Sequence, residues 1–272
     1  MKIFALNKQK YGVLGVAILA VFIFGNLGIT TSVSCRDKVT LTNGEWAPYT
    51  SENLHKFGLM SQVVTEAYAL MGIDVEYKFF DSWKRSYVLA QKGEFDGSIA
   101  WSPKAERNKD FFFCDPVIIR KNVIFHLKTL DFDWQSYEDL ARYRLSMTLA
   151  YFYGKEFDRA VQQGHFNTFL VYQDITSCIN LLKGRTDLFV MEVEVGRSLL
   201  RNHFTPQEQA LVTFHPKPIG ELPNTVFISK KIDKQRAHRF VNSLNQGLEK
   251  LKTSGRYKEI YSIHLPGTTS KK

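Results

Sequence analysis

Cysteine is scarce in this sequence: the 272 residues contain three, at positions 35, 114 and 178. Exported scaffolds that depend on disulfides carry a dense and usually even set of cysteines. Three cysteines exclude a scaffold of that kind. They leave room for one bridge at most, between Cys114 and Cys178.

Recognisable catalytic motifs are also missing. The sequence contains no Gly-x-Ser-x-Gly, no glycine-rich phosphate loop and no His/Cys/Asp set with the spacing of metal ligands. Its seven histidines are scattered singly along the chain. The sequence therefore predicts a protein without metal or cofactor, and it favours a binding protein over an enzyme.

Basic residues outnumber acidic ones, and the formal net charge is +9, but the excess is spread along the chain. The longest cluster, Lys230 and Lys231 with Lys234 and Arg236, is typical of a solvated strand end and helix start. Nucleic-acid binding requires basic residues concentrated on one face of a recognisable fold. We therefore expect no nucleic-acid partner.

The first 34 residues hold three lysines and no acidic residue, and an uncharged apolar run extends over 12–25. A basic start, an apolar run and a small-residue exit at Thr30–Ser34 are the three parts of an export signal. Cleavage at residue 34 would lower the formal charge to +6 and leave about 238 residues. That length suffices for one large domain or for two lobes of roughly 100 residues each.

Two alternatives to simple export and cleavage stay open. Nothing charged lies between Tyr11 and Cys35, so an uncleaved helix would anchor the chain, although Asn26 interrupts the roughly 20 apolar residues that a span requires. Ser32-Val33-Ser34 before Cys35 half-resembles a lipidation site. We predict a periplasmic location, with a membrane tether through Cys35 or the N-terminal helix as the alternative.

From Lys38 onward, strand patterns alternate with helix patterns. Ile73–Phe79 alternates with period two, and Ser82 can cap a helix that Gly93 ends. A second alternation begins with a strand at Arg144–Thr148, and Asp233 can cap a long amphipathic helix. The β-α-β order predicts an α/β fold with parallel strands and helical crossovers.

Four motifs in register resemble the family 3 extracellular solute-binding proteins of ABC importers. The resemblance spans roughly residues 38–262. The motifs are the aromatic loop Trp46–Tyr49, the segment Ser102–Pro116 with its acidic-Arg pair, the Gly-Arg-x-Asp segment Leu181–Glu192 and the C-terminal Gly255–Ile260.

The resemblance implies a two-lobed periplasmic-binding-protein fold of type II, with a doubly wound sheet in each lobe and two crossover strands. After the signal peptide 1–34, lobe one would comprise 36–126 plus 224–272, and lobe two 127–223. Cys114 and Cys178 would then lie in different lobes, and a bridge would staple parts that must move. We expect both thiols to be unpaired and buried.

The resemblance also implies roles for individual residues. Arg107 would grip a carboxylate with its planar fork of donors, and Glu192, where the family usually has Asp, would accept an ammonium. Asp187 is expected to brace its turn rather than to touch ligand. The remaining candidates are Ser102 as a hydroxyl donor, Trp46 over the ligand's apolar part, Trp101 as a pocket wall, and Tyr151 and Phe152, with Ala150, at the start of a helix whose N–H groups face an anion.

The function implied is capture of a small carboxylate-bearing solute, such as an amino acid or a derivative, and its delivery to an ABC importer by a monomer. Two alternatives remain. The first is a periplasmic dehydratase of the cyclohexadienyl type on the same fold, with Glu192 as a general acid. The second is a ligand-sensing subunit that acts on a membrane signalling protein.

Overall fold

A computed structural model describes residues 37–149 and 151–265 of the chain. They belong to one compact unit, Arg36–Lys272. The predicted signal peptide, the lipidation candidate Cys35, Ala150 and the polar tail from Gly267 lie outside the described residues.

The strands of the described residues form one sheet. Most are five to ten residues long, which is ordinary for a globular protein. Their bounds are β1 Asp37–Asn43, β2 Ile73–Phe79, β3 Gly97–Trp101, β4 Phe111–Phe113, β5 Ile118–Leu127, β6 Arg144–Thr148, β7 Asn167–Val171, β8 Leu188–Glu192, β9 Val212–Phe214 and β10 Gly220–Ser229.

The sheet has two parallel portions joined by two long antiparallel strands. Its order is β2-β1-β3-β10-β5-β8-β6-β7, with β4 beside β10 and β9 beside β5. β1 runs parallel to β2 and β3, and β6 runs parallel to β7 and β8. β10 pairs with β3 through its C-terminal half and with β5 through its N-terminal half, so β5 and β10 are the links between the two portions.

The helices pack against the faces of this sheet as crossovers and as a C-terminal pair. Predicted caps are confirmed: the side chain of Ser82 accepts from the Arg85 amide, Gly93 ends its helix in the left-handed region, and Asp233 accepts from the Arg236 amide. The helices are α1 Leu59–Ala69, α2 Trp83–Lys92, α3 Lys155–Gln162, α4 Asp174–Leu182, α5 Val193–His203, α6 Pro206–Leu211, α7 Lys234–Thr253 and α8 Arg256–His264.

One helix prediction that concerns the site is wrong. The helix expected to open at Tyr151 and Phe152 begins later, at Lys155, with Gly154 as its N-cap. The physical reason is that Tyr153 is held in a loop by strand residues: its hydroxyl contacts the backbone amide of Thr148 at 2.8 Å and its carbonyl accepts from the Asn122 side chain at 3.2 Å.

Two further predictions are confirmed. Cys114 and Cys178 are both free and buried, and burial raises the pKa of the Cys178 thiol to about 12. Asp187 braces its turn, because its carboxylate accepts from the backbone amide and the guanidinium of Arg144 at 2.7–3.0 Å. The lobe boundaries stay a prediction.

No helix within the described part of the chain is long and apolar enough to span a membrane.

Candidate functional site

Arg107 lies in a short 3-10 turn, Ala105–Arg107, that follows β3. Its Nη1 donates to the carbonyl oxygen of Ser102 at 2.8 Å. The guanidinium carbon is 5.1 Å from the ring centre of Trp101 and 5.4 Å from that of Tyr87. The aromatic rings and the carbonyl fix the orientation of this half-buried cation, so its fork of donors is organised before any ligand arrives.

Trp101 is the last residue of β3, and Ser102 follows it. The indole of Trp101 donates to Ser98 Oγ at 2.7 Å and meets the Tyr87 ring edge-to-face, so Trp101 forms a rigid wall beside Arg107. Ser102 is buried, and its hydroxyl contacts the side-chain oxygen of Asn224 on β10 at 3.4 Å. These two candidates therefore adjoin Arg107.

The loop that carries Trp46 packs as a small aromatic unit. The Trp46 and Tyr49 rings lie 4.6 Å apart at an angle of 33°, and the Trp46 amide donates to the carbonyl of Thr50 at 2.7 Å. Trp46 is half-buried, packed against the main hydrophobic core. Its neighbour Tyr49 is buried and points its hydroxyl away from this loop, toward Glu192.

Glu192 ends β8 and caps α5, and both of its carboxylate oxygens are engaged. Oε2 accepts from the backbone amides of Glu194 and Val195 at 2.8 and 2.9 Å. Oε1 accepts from the Tyr49 hydroxyl at 2.9 Å. Tyr49 follows β1 and Glu192 ends β8, so this bond joins the first sheet portion to the second.

Burial raises the pKa of Glu192 from 4.5 to about 7. The two helix amides and the Tyr49 hydroxyl favour the charged form and oppose this shift, while the nearby Glu194 adds to it. Glu192 is only 4% exposed. Near neutral pH the protonated and the charged form of the carboxyl are therefore both populated, and a cation beside it would favour the charged form.

Tyr151 and Phe152 lie in the loop between β6 and α3. The Tyr151 hydroxyl donates to Asp174 at 2.9 Å, and the carbonyl of Phe152 accepts from Arg120 at 2.6 Å. The ammonium of Lys104 lies 4.3 Å from the centre of the Phe152 ring. In this structure the Phe152 backbone thus presents a carbonyl, not an amide, to the neighbouring cation.

Arg120 on β5 is the site residue that sequence reasoning missed. It is 8% exposed, and its donors reach both sheet portions: Nη2 contacts Phe152 O and, at 3.5 Å, the Ser102 hydroxyl, while Nη1 donates to Asn122 at 3.2 Å. In sequence, Ile118-Ile-Arg-Lys is typical of a strand with exposed basic residues, and nothing local shows that Arg120 turns inward.

Two contacts connect the candidate residues across the two sheet portions. Arg120 connects Ser102 with Phe152, and Tyr49 connects the Trp46 loop with Glu192. Arg107 and Trp101 flank the first contact through Ser102. No group of three or more His, Cys, Asp or Glu residues in the described ranges is arranged to hold a metal ion.

The model of the bacterial extracellular solute-binding proteins, family 3, matches residues 39–266. The chain belongs to this family. The match covers both sheet portions and the residues just described, and it confirms the family predicted from the four motifs. A family of extracellular proteins also agrees with export.

Solved structures similar to this member of family 3 share its two-lobed periplasmic-binding-protein fold. A histidine kinase sensor domain with similarity to periplasmic binding proteins is 17% identical, with 85% of this chain and 97% of that chain covered and a TM-score of 0.67. The substrate-binding protein of an amino acid ABC transporter is 17% identical, with 84% and 99% covered and a TM-score of 0.61.

A third similar structure is an ancestral amino-acid-binding protein described as a precursor of cyclohexadienyl dehydratase. It is 19% identical, with 84% of this chain and 95% of that chain covered and a TM-score of 0.62. At these identities the structures establish the fold alone. No curated protein matches the sequence significantly.

Proposed function

We propose that this family 3 protein captures an amino acid or a related carboxylate between its two lobes and delivers it to an ABC importer. The observation that carries the proposal is the meeting of polar groups from both sheet portions. Tyr49 of the first portion donates to Glu192 of the second, and Arg120 joins Ser102, which also contacts Arg107, to Phe152 of the second portion. A cationic group and an acidic group on the two sides suit a ligand that carries both charges.

The ligand geometry follows from the donors and acceptors available. Arg107 would hold the carboxylate in a bidentate contact, since its remaining N–H groups form a planar fork. The ligand's ammonium would replace the Tyr49 hydroxyl as the partner of Glu192 Oε1, and Trp46 would cover the apolar part. A ligand that contacts both lobes only when they are closed has higher affinity for the closed state and shifts the population toward it.

The protein is proposed to act as a monomer without catalysis, and its closed form would present a surface that both lobes share. An importer permease or a membrane sensor could read such a surface. The similarity to the substrate-binding protein of an amino acid transporter supports the first partner, and the similarity to a kinase sensor domain supports the second.

Substitution of Arg107 tests the proposal. Arg107→Ala should lower the affinity for amino acids by roughly 30-fold to 1,000-fold, which corresponds to about 2–4 kcal/mol for a lost charged bidentate contact. Isothermal calorimetry with a panel of the common amino acids measures this loss. Arg85→Ala is the matched control, because Arg85 also lies over an aromatic ring, that of Phe80, but on the exposed start of α2.

Unchanged affinity in Arg107→Ala would overturn the assignment. Arg107→Lys keeps the charge but loses the fork, and it should bind more weakly than the wild type while it unfolds at a similar temperature. If the alanine variant unfolds, the lysine variant still separates a binding role from a structural one.

A second candidate function is a dehydratase on the same fold. The pKa of Glu192, raised by burial to about 7, lies in the range that suits a general acid at neutral pH. The similarity to a precursor of cyclohexadienyl dehydratase also supports this second candidate. Mass spectrometry of a bound cyclohexadienyl acid separates the two: a binding protein returns it intact, and a dehydratase releases an aromatic product that is lighter by one water and one carbon dioxide.

A further inference from the structure

We infer that the ligand of this candidate site carries a second carboxylate, which Arg120 binds. The inference rests on the proposed function and narrows it to acidic amino acids. It arises from a buried cation that has no ion-pair partner in the described part of the chain.

Arg120 is more than nine-tenths buried, yet none of its nitrogens lies within 4.0 Å of a carboxylate of the described residues. Its contacts are neutral oxygens: the Phe152 carbonyl, the Asn122 amide and the Ser102 hydroxyl. Its Nε is buried with no hydrogen-bond partner. Buried charges in folded proteins are normally paired, because removing an ion from water costs several kcal/mol.

Two acidic groups, Glu192 and Asp158, interact electrostatically with Arg120, but neither forms an ion pair with it. Glu192 attracts Arg120 electrostatically, but both of its oxygens already accept hydrogen bonds from Tyr49 and the α5 amides. Burial lowers the pKa of Arg120, and the attraction of Glu192 opposes that shift only in part. An anion from outside the chain would satisfy both the charge and the free Nε.

The surroundings of Arg120 fit an anion brought by the ligand. Arg107 donates to the carbonyl of Ser102, and Arg120 reaches the hydroxyl of the same residue. Lys104 lies over the ring of Phe152, whose carbonyl Arg120 holds. Two arginines thus contact one serine and a lysine lies over the neighbouring Phe152 ring, whereas a ligand with a single carboxylate needs one of these cations.

Neutral and acidic ligands of equal shape test the inference. Calorimetry on the purified protein would compare L-glutamate, L-aspartate and L-2-aminoadipate with L-glutamine and L-asparagine. At least one acid should bind about 10-fold to 100-fold more tightly than the amides, as expected for one charge-assisted contact.

Arg120→Gln should remove this preference, because it should weaken binding of the acid about 10-fold to 100-fold more than binding of the amides. Lys121→Gln is the matched control, since Lys121 is the next residue of β5 and forms an exposed ion pair with Glu221. If Arg120→Gln does not fold, Arg120→Lys replaces it and should lose part of the preference.

The outcomes separate the two proposals. Amides that bind the wild type as tightly as the acids overturn the second carboxylate and leave the proposed function standing. A wild-type protein that binds no amino acid of either class overturns the proposed function, and this inference falls with it.

Discussion

At the scale of single residues, Glu192 has a structural role and is also a proposed ligand contact. It caps α5 through two backbone amides and meets Tyr49 from the other sheet portion. The sequence indicated Glu192 through its place after the Gly-Arg-x-Asp motif. Its partner Tyr49 could not be predicted, because no local pattern connects residues 143 positions apart.

The raised pKa of Glu192 makes stability depend on pH. An ordinary glutamate loses its proton near pH 4.5, but in the folded chain it does so near 7. Between these values the native state binds more protons than the unfolded state, so stability falls as the pH rises from about 4.5 to 7. At pH 8 the buried charge destabilises the fold by about 3 kcal/mol.

Glu192→Gln removes that dependence. The stability of the variant relative to the wild type should increase by about 3 kcal/mol between pH 4 and pH 8, as measured by urea unfolding without ligand. Tyr49→Phe deletes a donor that favours the charged carboxylate, so the pH range over which stability falls should extend above pH 7. A stability difference that does not change with pH would contradict the raised pKa.

At the scale of elements, local signals predicted the helices whose ends carry a cap. Ser82, Gly93 and Asp233 each act where the sequence placed them. Thr205 and Glu208 form a capping box at the start of α6, which is a local signal of the same kind. The sequence does not predict the full lengths of β5 and β10, because no local pattern shows that β10 pairs with β3 at one end and with β5 at the other.

Close packing of α1 and α7 depends on Gly247. A Cβ there would lie 2.1 Å from the carbonyl oxygen of Ala67, a backbone atom that cannot move aside alone. Alanine normally stabilises a helix interior relative to glycine by about 0.5–1 kcal/mol. Here Gly247→Ala should instead destabilise by about 2 kcal/mol or more, as overpacking does.

Chemical unfolding of Gly247→Ala measures this effect. Gln246→Ala is the control, because Gln246 is the preceding residue of α7 and is exposed. It should leave the free energy of unfolding within about 0.5 kcal/mol. Equal stability of the two variants would show that α1 and α7 do not approach this closely.

At the scale of the whole molecule, the motifs predicted the family and the two-lobed fold, because four short segments kept their order over most of the chain. The four motifs did not predict the buried position of Arg120. That position depends on contacts with Ser102 and Phe152, which lie 18 and 32 residues away in the sequence and come from different sheet portions. From sequence alone, a charged residue on a strand is interpreted as exposed, because the residues that pack against it are not known.

Solution scattering tests most directly whether ligand is captured between moving lobes. The two sheet portions are linked by β5 and β10, so hinge closure around those strands is expected. The experiment compares the purified protein alone and saturated with the amino acid that calorimetry finds to bind most tightly. A smaller radius of gyration with ligand is the predicted result, and an identical radius at confirmed saturation would contradict closure and favour a rigid pocket.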